Sequence, residues 1–73
     1  MKFITKINLK NSEDIAKKIC SDIAKKDSTF VFEIKDNILS IFSDNKDIAY
    51  KRGILFVKKY LKDYNLGFEV KRS

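Results

Sequence analysis

Tyr50–Leu66, YKRGILFVKKYLKDYNL, carries both the main apolar stripe of the chain and its densest positive charge. At about 100° per residue, Tyr50, Ile54, Val57, Leu61 and Tyr64 fall on one side of a helix by alternating steps of four and three. Lys51, Lys58 and Lys62 make a second line roughly opposite, with Arg52 and Lys59 beside it. One side is therefore expected to dock on a sheet while the other presents cations on neighbouring turns. Closely spaced negative charges suit such a surface, and phosphate backbones are the commonest source of them. Lysines that only solvate an exposed helix make the same pattern, so the flanking chain has to decide between the two.

Upstream, Asp44 or Asn45 can cap this helix, and Asp47 falls in its first turn. Ile38 to Ser43 alternates with apolar residues on both faces, Ile38 and Phe42 against Leu39 and Ile41, as a central strand would. Asp36-Asn37 tolerates positive φ and predicts a tight hairpin back to a strand over Thr29 to Lys35. There Phe30, Phe32 and Ile34 share a face. A first helix is expected from the capping sequence Asn11-Ser12-Glu13-Asp14 to about Lys26, with Ile15, Ala16, Ile19, Cys20, Ile23 and Ala24 inward. Lys2 to Leu9 alternates as the first strand, with Phe3, Thr5, Ile7 and Leu9 on one face. Downstream, the second helix should end near Tyr64-Asn65. Leu66, Phe68 and Val70 then alternate with Gly67, Glu69 and Lys71 in a last short strand.

The resulting order is β-α-β-β-α-β. It predicts one α+β domain over residues 1–73, a two-layer sandwich with both helices on one face of a four-stranded, mostly antiparallel sheet. Right-handed crossovers around the central hairpin favour the strand order 4-1-3-2.

Composition narrows the function. The 73 residues include 16 Lys and Arg against 10 Asp and Glu, a net charge of +6, with no His, no Trp and a single cysteine. A chain this small buries only about 60% of its surface and has little room for a supported catalytic cleft. His-based catalysis is excluded, and no zinc ligand set or disulfide framework exists. Glu13, Asp14, Asp36, Asp44 and Asp47 all have capping or turn duties available. Cys20 lies in an apolar stripe and reads as a small core residue. No enzyme, metal or cofactor is expected, and no small-molecule substrate. The apolar runs are too short to span a bilayer and the N-terminus alternates too fast for a signal peptide, which predicts a cytoplasmic protein with no membrane partner. The positive balance favours nucleic acid as partner.

Arg52-Gly53-Ile54-Leu55-Phe56-Val57 partly echoes a signature strand of RNA-recognition motifs. The aromatic and small positions are wrong, however, and the period is helical, so the match is accidental. Gly53 costs about 1 kcal/mol within a helix relative to Ala; close approach of either RNA or the sheet would account for it, and a neutral position fits the sequence equally. Phe42, with Val31 and Ile4 beside it, is the centre of an open sheet face that is poor as a base-stacking platform.

Lys51-Arg52, Lys58-Lys59-Tyr60-Leu61-Lys62 and Asn65-Leu66 together resemble the corresponding helix of ribosomal protein twenty-two of the eukaryotic large subunit, the e-type family. Asn37-Ile38-Leu39-Ser40-Ile41-Phe42-Ser43 is similar to that family's strand leading into the helix, and Lys2-Phe3-Ile4 to its first strand. The interval between the basic pairs is one residue shorter here, and Gly67-Phe68-Glu69 stands where the family has a Trp-containing stretch. The resemblance implies a compact or divergent, archaeal-type member that binds ribosomal RNA within the large subunit and is monomeric outside the ribosome. It further implies phosphate contacts from Lys58, Lys59 and Lys62, extended by Lys51 and Arg52, with Tyr60 stacking beside them. Lys71 and Arg72 are expected next to the C-terminal end of the same helix. Two other readings fit the residues: a nucleic-acid-binding or regulatory module acting off the ribosome, and a protein-interaction domain using the open sheet face.

Overall fold

Four stretches of alternating side chains form the sheet in the computed structural model, which describes residues 1–73. They are β1 (Phe3–Asn8), β2 (Val31–Lys35), β3 (Ile38–Ser43) and β4 (Phe68–Arg72). Helix α1 (Glu13–Lys26) joins β1 to β2, and α2 (Lys46–Leu55) follows β3. After α2 the chain keeps winding through a π-helical turn, Phe56–Tyr60, and a 3-10 turn, Lys62–Tyr64. The sheet order is β2-β3-β1-β4 with every neighbouring pair antiparallel, which is the expected 4-1-3-2 order read from its other edge.

Registers run straight across the sheet. Ile34, Leu39, Ile7 and Phe68 make one row, and Phe32, Ile41, Thr5 and Val70 the next. These rows face the helices. With Ala16 and Cys20 of α1, and Phe56, Val57 and Leu61 beyond α2, they enclose the core. On the reverse face Val31, Phe42, Ile4 and Lys71 align, followed by Glu33, Ser40, Lys6 and Glu69. The hairpin forms as Asp36-Asn37 predicts, with φ of 52° and 66° at the two turn residues. Positive φ at both positions matches the right-handed twist of the flanking strands.

The helix starts depart from expectation in part. Asn45, not Asp44, caps α2: its side-chain oxygen accepts from the Asp47 and Ile48 amides at 2.7 and 3.2 Å. Asp44 instead lies 4.0 Å from the N-terminal ammonium. At α1, Ser12 holds the cap position but makes no side-chain capping bond. Its hydroxyl donates to the Leu9 carbonyl at 2.6 Å, because Lys10, at φ 53°, turns the chain back on Leu9. Ile15, expected inward, is 41% exposed at the rim, and α1 docks through Ala16 and Cys20.

The buried side of the second helix is also displaced from the expected stripe. Val57 and Leu61 are buried as predicted, but Tyr50, Ile54 and Tyr64 remain exposed, and Ala49 and Gly53 take the inner positions. Small residues are needed there because the helix lies very close to the sheet. The Thr5 hydroxyl donates to the Ala49 carbonyl at 2.9 Å. A Cβ at Gly53 would stand 2.4 Å from the Phe68 ring. Gly53 thus admits the sheet, through Phe68.

Candidate nucleic-acid interface

Ala49, Gly53, Val57 and Leu61 are spaced by four, and in a pure α-helix each such step drifts about 40° around the axis. The π turn corrects that drift. The Leu61 amide donates to the Phe56 carbonyl at 2.8 Å, five residues back, so this turn holds more residues than an α turn and keeps Leu61 over the core. Lys58 and Lys59 lie within the widened turn and Lys62 just beyond it. All three are exposed, as is Lys51, about two turns before Lys58. The chain has three ion pairs, and none of them involves these four lysines. Between Lys46 and Tyr64 the only acids are Asp47 and Asp63. The result is a track of unpaired ammonium groups on the side away from the sheet.

Arg52 is placed differently. Its guanidinium is 3.7 Å from the Asp27 carboxylate and lies over the Phe30 ring, 5.3 Å from its centre. The side chain is only 18% exposed. Hydrogen bonds from the Thr29 hydroxyl and amide, at 2.6 and 2.9 Å, hold the Asp27 carboxyl below the usual carboxylate range, and the Arg52 charge adds to them. Arg52 therefore ties α2 to the loop before β2 and stands apart from the lysine track.

Lys71 and Arg72 lie beside the first turn of α2, not its C-terminal end as expected. Asn65, at φ 54°, ends the winding segment, and β4 then runs back beneath the helix. Lys71 and Arg72 share a cleft of about 360 Å³ with Lys46, Tyr50, Phe3 and Val70. The Lys71 ammonium is 3.4 Å from Glu69. The Arg72 guanidinium sits over Phe3, 5.9 Å from the ring centre. Tyr60 packs edge-on against Phe56 at 5.3 Å and borders a groove with Ile19 and Ile23 of α1, which leaves it 36% exposed.

The predicted basic residues thus separate into a lysine track, an internal tether at Arg52, and a cleft at the opposite end of the helix. Lys46, which lines that cleft, was not singled out from sequence. Its signal is a cation in the first turn of a helix, where the dipole favours acids. Cys20 is fully buried, and burial pushes its thiol up to about 12. No three His, Cys, Asp or Glu side chains converge as a metal centre, and no helix is long and apolar enough to cross a membrane. No family model, curated protein or solved structure matches the chain.

Proposed function

We propose that the protein binds RNA through the outer side of α2 and its π turn, and that its setting is the large ribosomal subunit. The observation that carries the RNA reading is the run of exposed lysines, Lys51, Lys58, Lys59 and Lys62, without a carboxylate partner. Each such ammonium can neutralise a phosphate and release its counterion, which drives association with any closely charged backbone. The track is exposed and lacks arginine forks, so it suits the shape and phosphates of an RNA helix more than base edges in a deep, narrow groove. The ribosomal setting rests on the resemblance of Lys58-Lys59-Tyr60-Leu61-Lys62 and Asn65-Leu66 to the e-type family.

Gradient sedimentation of a native extract, probed for this protein at low and high salt, tests that setting. The protein is expected in the large-subunit and whole-ribosome fractions. Its staying at the top of the gradient at both salts would remove the ribosomal assignment and leave RNA binding to be tested alone.

A further inference from the structure

We propose that the cleft between the first turn of α2 and the β1–β4 end of the sheet holds one nucleotide unit of an RNA strand. The phosphate lies toward Lys46 and Arg72 and the base against Tyr50. Naming the ligand a nucleotide rests on the RNA-binding reading, whereas the cleft shares no residue with the lysine track.

The lining chemistry is one-sided. Phe3, Lys46, Tyr50, Val70, Lys71 and Arg72 line the cleft with two aromatic rings, the unpaired cations of Lys46 and Arg72 and no carboxylate, while the Lys71 side chain belongs to the reverse-face row with Ile4 and pairs with Glu69. Its volume of about 360 Å³ lies within the range of small-ligand sites, roughly 300–1,000 Å³. Arg72 is in no ion pair, and its guanidinium is stacked over Phe3. Stacking occupies a face of that group and leaves the N–H edge, the part that grips phosphate in a two-pronged contact. Lys46 follows directly after the capping Asn45 and is likewise unpaired. Asp47 supplies the acid that the dipole of the first turn favours, and Lys46 is left without a carboxylate partner beside Arg72 in the cleft. Lys71 is drawn toward Glu69 and contributes background charge.

Tyr50 supplies the remaining part. Its ring is 43% exposed and is held edge-on against Phe68, with centres 6.2 Å apart and planes at 71°. A positioned, half-exposed ring beside a phosphate grip is the arrangement on which single-stranded bases stack. The cleft lining contains no Asn, Gln, Asp or Glu side chain, the groups that read adenine and cytosine edges.

The test is an amide NMR titration of the intact protein with uridine 5′-monophosphate, uridine and inorganic phosphate in separate arms. Uridine monophosphate is expected to shift the amides of Phe3, Tyr50, Val70 and Arg72 saturably, with phosphate alone binding there roughly tenfold more weakly. Lys46→Gln and Arg72→Gln should each weaken nucleotide binding by roughly tenfold. Tyr50→Leu should weaken the nucleotide but not phosphate, and each variant's spectrum reports whether it is folded. Absence of saturable shifts, shifts confined to Lys58–Lys62, or phosphate binding as tightly as the nucleotide would overturn the proposal. The titration reads the cleft alone, and the salt dependence of RNA affinity in lysine-track variants reads the track alone, so each can fail separately.

Discussion

A methyl group added at Gly53 would meet three atoms of the Phe68 ring at 2.4 to 2.8 Å. The ring cannot swing aside freely, since Tyr50 packs against it at 6.2 Å. Helix propensity alone favours Gly53→Ala by about 1 kcal/mol. Overpacking typically costs about 1–3 kcal/mol, and here it includes the near end of the ring, so the clash dominates. Gly53→Ala is expected to lower the midpoint of chemical denaturation; a raised midpoint would mean the helix stands farther from the sheet than described. Cys20 gives a second test at this scale. Its thiol is raised from 9.0 to about 12 by burial. Below pH 9 the folded and unfolded chains both keep the proton, and the stability linked to this group is constant. As pH rises from there toward 12 the unfolded chain loses the proton first, so that stability is progressively lost. A disulfide-exchange reagent at pH 8 should therefore leave native Cys20 untouched and label it on unfolding. The wild type should also lose stability more steeply than Cys20→Ala above pH 9.

At the scale of elements, the two helix starts make a contrast. Asn45 caps α2 with two accepted hydrogen bonds, whereas Ser12 offers α1 none. Asn45→Ala should cost about 1 kcal/mol of stability, read from thermal or chemical unfolding. No measurable change would show that the first turn of α2 is held by its packing instead. The strands were readable from sequence because a period of two, a hairpin at Asp36-Asn37 and a doubly apolar Ile38–Ser43 each restrict pairing strongly. The face of α2 was not. Large Tyr50 and Ile54 outweigh small Ala49 and Gly53 in any hydrophobic pattern, yet the helix packs too closely to accept large side chains at those inner positions. The π turn has no local sequence signal either; it follows from the need to keep Leu61 over the core. Lys51, Lys58, Lys59 and Lys62 were legible as an exposed line because they lie opposite any plausible core face. The roles of Arg52, Lys46 and Arg72 were not, since each depends on a contact with a distant segment: Asp27 and Phe30, or the returning β4.

Across the whole molecule, charge is unevenly spread. The segment from Lys46 to Tyr64 holds six of the 16 Lys and Arg residues and only two of the 10 acids. On the reverse face of the sheet, Glu33 and Glu69 stand among Lys6, Lys35 and Lys71 and largely offset them. The helical layer is therefore the side that would meet an approaching polyanion first, and steering of that kind weakens as salt rises. Phosphate contacts make a specific quantitative demand: each one lost lowers the slope of log affinity against log salt by roughly 0.7–0.9. The most direct measurement compares RNA affinity over a salt series for the wild type and for the combined Lys58→Ala, Lys59→Ala and Lys62→Ala variant. The variant is expected to fold with nearly unchanged stability and to show a slope shallower by roughly 2–3. A folded variant with the wild-type slope would contradict RNA binding through this track.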